Sequence, residues 1–328
     1  NTVSDDGIEL QKGNTVVSID SYDTFIDVNG KKVFLENAMK KYDDGYYINA
    51  HVLEEGFGYT YKWDSVENTL NLVDTKKDES ILPSRYSYYD VGRLGKIKDQ
   101  GIYGTCWAFA SLGALETTLL PMEEDIFSVD HMSMCKSLMP EEKYDFSEDN
   151  MVWNSGYFGA QYDGGDYTRA ISYLASWRGP VLEEDDVYGD GINNSDAGVV
   201  KHVQEAQIIE SKNLEAIKKA VFLYGGVESS LYTSMSYAGE RSMYYNDKNY
   251  SYCYIGTKKP NHDVVIIGWD DNYSKDNFSV SLEGNGAFIC VNSWGDSFGD
   301  DGLFYVSYYD SNIGIHNVVY TRVEDNDN

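Results

Sequence analysis

The segment KDQGIYGTCWAFA, residues 98–110, contains the cysteine around which the rest of the sequence can be arranged. Small and polar residues run up to Thr105, and an apolar, alanine-rich run begins at Trp107. This pattern predicts a loop followed by a helix, with Cys106 at the junction. Free amide groups and the positive end of the helix dipole favour a thiolate at that place. We therefore expect Cys106 to be a nucleophile rather than an inert, half-buried thiol.

A thiolate nucleophile needs a general base, and the chain has five histidines. His262 stands in NHDVVIIGW, residues 261–269, just before a continuous apolar run that predicts a buried strand. A buried strand would hold the imidazole rigidly. The other four lie in a separate module, in polar segments or in an alternating strand pattern, and are expected to be structural: His51, His131, His202 and His316.

The base needs a group that orients it, and FICVNSWG, residues 288–295, offers one. The amide oxygen of Asn292 can accept the imidazole N–H and fix its tautomer, while Trp294 can shield that bond from water. Taken alone, the Asn-Ser-Trp-Gly sequence fits a turn at the end of a strand equally well. Its weight comes from the order of glutamine, cysteine, histidine and asparagine along the chain.

Gln100 lies six residues before Cys106, and the segment between them resembles the signature of the papain-like cysteine peptidases. That signature is a glutamine and a glycine followed by Cys-Gly-Ser-Cys-Trp, and the family also has an Asn-Ser-Trp-Gly motif. Here Tyr103 replaces the first cysteine and Thr105 the serine. The first change removes half of a disulfide common in the family, so Cys135, aligned with the other half, is expected to stay reduced. The resemblance extends from residue 82 to about residue 320.

The resemblance implies an α+β, papain-like two-lobed fold, with a helical lobe carrying Cys106 and an antiparallel β-barrel-like lobe carrying His262. It also implies a cysteine endopeptidase of a secreted bacterial type, acting on a polypeptide substrate without a metal or other cofactor. The thiolate, paired with the His262 imidazolium, would form an acyl-enzyme on Cys106. The backbone N–H of Cys106 and the side chain of Gln100 would bind the oxyanion.

A double glycine, Gly164 and Gly165, follows in GAQYDGGD, residues 159–166. Paired glycines let a peptide backbone come close, and in the resembled family such a pair binds the substrate main chain. A turn that starts a helix is almost as good an interpretation, and the two are compatible. Trp294 is expected on the substrate side of the same cleft.

The turn and helix-stop signals within residues 1–75 predict a separate small α/β, hairpin-rich module. Asn29-Gly30 predicts a hairpin between strands at 24–28 and 32–35, and a short helix at 49–55 is expected to stop at Gly56. The order of elements resembles the copper amine oxidase N-terminal-like domain. Copper is not implied, since His51 is the module's only histidine and it has no cysteine. A docking role, for a cell-wall or surface component, is the default, and a removable prosegment is the alternative.

The remaining boundaries follow from composition. Residues 76–81 are a polar linker, and residues 82–328 form the peptidase domain. Helices are predicted at 107–120, 128–137, 166–177 and 213–222, and a strand series runs from 225 to 308, with a frayed tail at 324–328.

The chain is strongly acidic, with 54 acidic against 26 basic residues and a net charge of −28. This argues against nucleic acid or an anionic membrane as a partner, and no apolar run is long enough to span a bilayer. Of the four cysteines, Cys290 is expected in the core, and Cys135 and Cys253 remain a possible disulfide pair. We expect a secreted or cell-surface protein. Two rivals stay open, a transpeptidase using the same pair and a catalytically silent surface protein.

Overall fold

The computed structural model describes residues 2–3, 7–12, 15–20, 25–35, 38–42, 45–64, 69–74, 82–119, 144–156 and 161–326. The chain divides into two compact units, Asn1–Leu82 and Pro83–Asn328, called here the N-terminal and C-terminal units. Four features of the sequence analysis lie outside the described residues: the linker predicted at 76–81, His131, Cys135 and the helix predicted at 128–137.

The described residues of the N-terminal unit form short antiparallel strands and one helix. Five strands form a sheet in chain order, and two separate hairpins flank the helix. The elements are β1 (Thr2–Val3), β2 (Gly7–Lys12), β3 (Thr15–Asp20), β4 (Phe25–Val28), β5 (Lys31–Phe34), β6 (Met39–Tyr42), β7 (Gly45–Ile48), α1 (His51–Phe57), β8 (Tyr59–Asp64) and β9 (Thr69–Asp74). The predicted hairpin at Asn29-Gly30 is confirmed, with Val28 paired to Lys31.

Helix α1 packs on the sheet through Val52 and Phe57, against a core that includes Val17. The helix is capped by Gly58, whose left-handed backbone (φ 68°) lets its N–H donate to the carbonyl of Glu54. The prediction that Gly56 stops the helix is wrong. Gly56 lies inside the helix, where a Cβ would come within 2.6 Å of a Val17 methyl group. Close packing, rather than chain reversal, accounts for glycine at that position.

The C-terminal unit sets helices against a large, mostly antiparallel sheet. The sheet has the order β11-β18-β12-β15-β16-β17-β14-β13, with β10 added along β15, and only β14 and β17 are parallel. The elements are β10 (Arg85–Ser87), α2 (Cys106–Thr118), α3 (Glu148–Asn154), α4 (Tyr167–Ala175), β11 (Lys201–Ile209), α5 (Leu214–Leu223), β12 (Val227–Leu231), β13 (Tyr245–Asn246), β14 (Ser251–Tyr252), β15 (His262–Asp270), a 3₁₀ turn (Lys275–Asn277), β16 (Ala287–Val291), β17 (Leu303–Ser307) and β18 (Ile315–Asp325).

Helix α2 is the centre of this unit because it is buried on almost every side. It packs along β15, and a Cβ on its Gly113 would lie 3.2 Å from Val265 of that strand. A helix that is apolar all round belongs in a core. This packing brings the first residue of α2, Cys106, to the strand that begins at His262.

Strand β18 continues into the segment predicted to be a frayed tail. Asp325 pairs with Lys201 of β11, and their side chains form an ion pair. The tail prediction is therefore wrong as far as Asp325. Within the described residues, no helix is both long enough and apolar enough to cross a membrane.

Candidate active site

Cys106 begins α2 as a free, half-buried thiol. Thr105 precedes it at the N-cap but makes no side-chain capping bond, and its hydroxyl lies 2.6 Å from the hydroxyl of Tyr188 instead. The first amide groups of the helix thus lack a side-chain cap. Such amides can stabilise negative charge that develops at the sulfur or on a bound carbonyl oxygen.

The surroundings of Cys106 favour its neutral form. Burial raises the pKa of the Cys106 thiol to about 12, and the negative charge of Asp263 adds to the rise. Backbone N–H groups of Asp263 and Trp107 act in the opposite direction, because they point at the sulfur. Cys106 is therefore close to the residue that directly follows His262.

His262 is buried at the start of β15, and its Nε2 lies 2.7 Å from Oδ1 of Asn292. An amide oxygen accepts only, so Nε2 carries the proton and Nδ1 is left as the basic nitrogen. The same oxygen also accepts the backbone N–H of Ser293 at 2.8 Å. The ring of Trp294 stacks on the imidazole, with centroids 4.9 Å apart, and shields this bond from water.

Burial lowers the pKa of His262 to about 4, and the hydrogen bond to Asn292 opposes that shift. The imidazole is therefore neutral at ordinary pH when no partner charge is present. A neutral imidazole with a fixed tautomer is the form that can remove a proton.

Gln100 is buried, and its side-chain amide is held at both ends. Its Oε1 accepts from the hydroxyl of Ser293 at 2.6 Å, and its Nε2 donates to the carbonyl of Tyr103 at 2.7 Å. These two bonds fix the orientation of the amide. They use one of the two N–H groups of Nε2, so the second can donate to a ligand. The Asn-Ser-Trp-Gly segment thus orients the imidazole through Asn292 and the glutamine through Ser293.

Tyr188 is a further contact of this loop that the sequence analysis missed. Its hydroxyl donates to the carbonyl of Gln100 at 2.9 Å, and because it has one proton it accepts from the Thr105 hydroxyl. Its ring packs edge-on against Phe109 and Tyr103. No motif surrounds Tyr188 in the sequence, so only the tertiary structure reveals this role.

The double glycine lies against the loop that carries Cys106. Gly104 donates its N–H to the carbonyl of Gln161, and a Cβ on Gly104 would come within 3.2 Å of Gly164 N. A Cβ on Gly165 would overlap the ring of Trp107 at 2.4 Å. The turn also starts α4, since Asp166 caps that helix. Both interpretations of the double glycine are thus compatible with its position.

Two further cysteines lie in the described part of the chain. Cys253 and Cys290 are free and buried, so Cys253 is not in the disulfide that the sequence left open, and Cys290 lies in the core as predicted. Among the described residues, no three His, Cys, Asp or Glu side chains are grouped so as to hold a metal ion.

Comparison with known proteins decides the family. The model of the papain family cysteine proteases matches residues 82–323, which is most of the chain. The chain belongs to the papain family of cysteine proteases. A second model, that of the copper amine oxidase N-terminal domain, matches residues 3–72. Both resemblances proposed from the sequence are confirmed.

Curated relatives of this papain-family protease include a cysteine protease and a cathepsin. A cysteine protease of Blomia tropicalis is 24% identical over 300 residues, covering 87% of this chain and 78% of the relative. Cathepsin K of Mus musculus is 25% identical over 253 residues, covering 74% of this chain and 66% of the relative.

Among solved structures, the protease is similar to Cwp84, a surface-layer-associated cysteine protease of Clostridium difficile. Cwp84 after propeptide cleavage is 31% identical with a TM-score of 0.62, over 75% of this chain and 59% of that one. Its cysteine protease and lectin-like domains together give 30% identity and a TM-score of 0.62, over 75% of this chain and 53% of that one. The chain thus spans little more than half of either. Bromelain of Ananas comosus, 19% identical with a TM-score of 0.52, shares the fold.

Membership in this family confirms the predicted papain-like α+β fold and a thiol protease, which is a hydrolase whose substrates are polypeptides.

Proposed function

We propose that this papain-family protease is a cysteine endopeptidase that cleaves extended polypeptides with Cys106, His262 and Asn292. The observation that supports this best is the 2.7 Å bond between Nε2 of His262 and Asn292, covered by Trp294. It leaves Nδ1 free as the base. The next residue, Asp263, is close enough for its backbone N–H to lower the pKa of Cys106, so the imidazole and the thiol lie near each other.

Catalysis begins when the thiol proton passes from Sγ of Cys106 to Nδ1 of His262. Burial disfavours either charge alone, raising the pKa of the thiol and lowering that of the imidazole. The transfer creates both charges together, and their attraction in a buried site offsets the loss of solvation. The resulting thiolate–imidazolium pair is the reactive form.

The thiolate then adds to the scissile carbonyl carbon, and negative charge moves to the carbonyl oxygen. The remaining N–H of Gln100 Nε2 and the backbone N–H of Cys106 receive that oxyanion. Each such donor contributes on the order of 3 kcal/mol to the transition state. Gly164 and Gly165 align the substrate main chain beside the sulfur.

The imidazolium returns the proton to the leaving nitrogen as the C–N bond breaks, which leaves a thioester on Cys106. A water molecule, deprotonated by the same ring, attacks the thioester carbonyl. Release of the carboxylic acid restores the thiol.

We further propose that the protein is secreted or attached to the cell surface, and that residues 1–75, 76–81 and 82–328 are a small module, a linker and the protease domain. The similarity to surface-layer-associated Cwp84 supports the location. The module is a docking element for a cell-wall or surface component or an inhibitory prosegment. A solved form of Cwp84 is described after propeptide cleavage, which favours testing the second role.

Replacing Cys106 by alanine tests the mechanism. Turnover of a fluorogenic peptide should fall by about 10⁶-fold, since no other nucleophile replaces the sulfur. A thiol-directed epoxide should label the parent chain and not the Cys106→Ala variant. Cys253 and Cys290 remain in that variant as internal controls, because both are buried thiols.

Two outcomes would contradict the hydrolase. A product in which the acyl part is joined to an amine, in place of two fragments, would indicate a transpeptidase. No labelling of Cys106 and no turnover in the folded chain would indicate a catalytically silent surface protein.

A further inference from the structure

Three carboxylates lie near Cys106 and have no part in the steps above. Asp263 follows His262 in β15, Glu228 belongs to β12, and Asp166 caps α4. Asp263 lies opposite Ser230 in the pairing of β12 with β15, and Ser230 is two residues after Glu228. Asp263, Ser230 and Glu228 therefore share one face of the sheet. We call Asp166, Glu228 and Asp263 the acidic group.

This face of the sheet is the one that meets the nucleophile helix. Glu228 Oε2 accepts from the hydroxyl of Ser111 in α2 at 2.5 Å. The charges of Asp263 and Glu228 both add to the rise in the pKa of Cys106 that burial causes. Burial raises the pKa of Glu228 and that of Asp263, and the charge of Asp166 adds to both rises. Asp263 and Glu228 are thus within electrostatic range of the reacting sulfur, and Asp166 is within range of those two carboxyls.

Among the described residues, the acidic group is not paired with a lysine or arginine, and the basic side chain beside it is that of His316, which is linked to Asp263 through Ser230. Glu228 is fully buried, and its second oxygen, Oε1, has no hydrogen-bond partner. Asp263 receives one bond, 2.5 Å, from the hydroxyl of Ser230. Across the part of the chain that the structure describes, no lysine or arginine forms an ion pair with any of these three carboxylates.

Two other buried carboxylates of the same unit are paired with a positive charge. Glu116 and Glu148, equally buried, each have an oxygen 2.8 Å from the ammonium group of Lys98. Burying a carboxylate without a partner is costly and favours its protonated form, and a cation that arrives with a ligand would supply the partner that Lys98 supplies to Glu116 and Glu148.

We propose that the acidic group forms a subsite that binds a lysine or arginine side chain of the polypeptide substrate. The proposal rests on the peptidase function proposed above, whose substrate class it narrows. Asp263, which keeps 8% of its surface exposed, meets the cation. Burial raises the pKa of Glu228 well above its ordinary value, so Glu228 holds its proton until the charge of a bound cation lowers that pKa.

The neighbouring side chains suit the rest of a basic residue. Ser230 Oγ lies 3.2 Å from Nδ1 of His316, whose ring stacks on the half-buried ring of Tyr167 at 5.3 Å. Long basic side chains place their methylene groups along the faces of rings such as that of Tyr167. The net charge of −28 also raises the local concentration of cationic peptides.

The test compares peptides that carry lysine, arginine, norleucine or glutamate at each of the four positions before the scissile bond. At one position, lysine or arginine should give a kcat/KM about tenfold or more above norleucine, as expected for a charge-assisted contact. In Asp263→Asn, which keeps the size of the side chain, that ratio should fall towards one. The ratio is the readout because it cancels any change in overall rate.

Two further variants keep the result interpretable. The amide oxygen in Glu228→Gln can still accept from Ser111, and this variant should also lower the ratio of kcat/KM values. It provides a second test of the subsite if Asp263→Asn fails to fold. Asp196→Asn, at an exposed site, should leave the ratio unchanged. Binding of the same peptides to Cys106→Ala, followed by fluorescence anisotropy, measures the preference without turnover.

Three results would overturn the subsite: no preference for a basic residue at any position, an equal ratio in the parent chain and in both carboxylate variants, or tighter binding of norleucine than lysine peptides to Cys106→Ala. Cleavage without basic preference would leave the peptidase function intact. Absence of cleavage together with preferential binding of lysine peptides would instead overturn the peptidase and keep the subsite.

Discussion

The amide of Gln100 illustrates how single residues set the chemistry of this site. An amide can be rotated to present either oxygen or N–H groups to a substrate, and only the N–H end stabilises an oxyanion. The hydroxyl of Ser293, 193 residues away in sequence, donates to Oε1 and selects the useful orientation. Ser293 is therefore a positioning residue for the proposed oxyanion site.

This role predicts a specific pattern of rates. Gln100→Ala should lower kcat by about 10²-fold, because one oxyanion donor is lost. Ser293→Ala should lower kcat by about tenfold with little change in KM, because the buried amide loses the bond that fixes its orientation. In a Gln100→Ala background, Ser293→Ala should have no further effect on kcat. Ser172→Ala, at an exposed serine, is the control for the substitution itself.

An equal loss from Ser293→Ala in both backgrounds would contradict this role and would indicate that Ser293 acts on the imidazole through Asn292.

At the residue scale, the sequence was informative where local motifs exist and silent where partners meet only through strand pairing. Gln100 and Cys106 could be proposed because each stands in a recognisable segment. Glu228 and Asp263 could not, since their closeness depends on the register of β12 on β15. His316 was interpreted as an ordinary strand residue, yet it has a left-handed backbone (φ 54°) and stacks on Tyr167.

At the scale of elements, Lys98 joins the loop before Cys106 to two helices. Its ammonium group lies 2.8 Å from carboxylates of Glu116 in α2, Glu148 in α3 and Asp145 just before α3. It also donates to the carbonyl of Phe146 at 3.0 Å. Lys96 also lies 3.5 Å from Asp145, so two cations face the three carboxylates. Among the described residues, Lys98 alone is paired with the two buried ones, Glu116 and Glu148. This leaves excess negative charge in a buried place.

This excess predicts how stability depends on pH. Burial raises the pKa of Glu148 from 4.5 to about 8, the Lys98 charge opposes the rise, and the Glu116 charge adds to it. The folded state therefore binds more protons than the unfolded state between these values, so the free energy of unfolding should fall as pH rises from about 4.5 to 8. Glu148→Gln cannot titrate and should make that fall smaller.

The measurement is the urea midpoint at pH 5, 6.5 and 8, in the Cys106→Ala background to prevent self-digestion. Glu184→Gln, at an exposed position, is the matched control and should keep the slope of the parent. A slope that Glu148→Gln leaves unchanged would show that Glu148 keeps an ordinary pKa in the folded chain.

Elements with strong local signals were predicted within a few residues, and the errors have tertiary causes. Helix α2 was predicted at 107–120 and spans Cys106–Thr118. The end of β18 was missed because its charged residues resemble a solvated tail, and only pairing with β11 orders them. The end of α1 was misplaced because Gly56 is required by its packing on Val17, which no local pattern shows.

At the scale of the whole molecule, two family models match on either side of a polar segment, at residues 3–72 and 82–323. The chain also divides into compact units between Leu82 and Pro83. Each unit has a hydrophobic core of its own, with Ile26 and Val52 in the first and Trp107 and Ile266 in the second. Separate cores are what allow one unit to be removed without unfolding the other.

If the first unit is a prosegment, the active chain should remove it. Purified chain incubated at pH 5 to 7 should yield a fragment that begins within residues 76–85, where the polar composition favours cleavage, and peptidase activity should rise as it accumulates. Cys106→Ala alone should stay intact, and adding a trace of active enzyme should cut it at the same place, which identifies cleavage between molecules. Mass spectrometry of the time course locates the cut. Full activity of the uncut chain would instead favour a docking role, because an inhibitory segment must lower activity until it is removed.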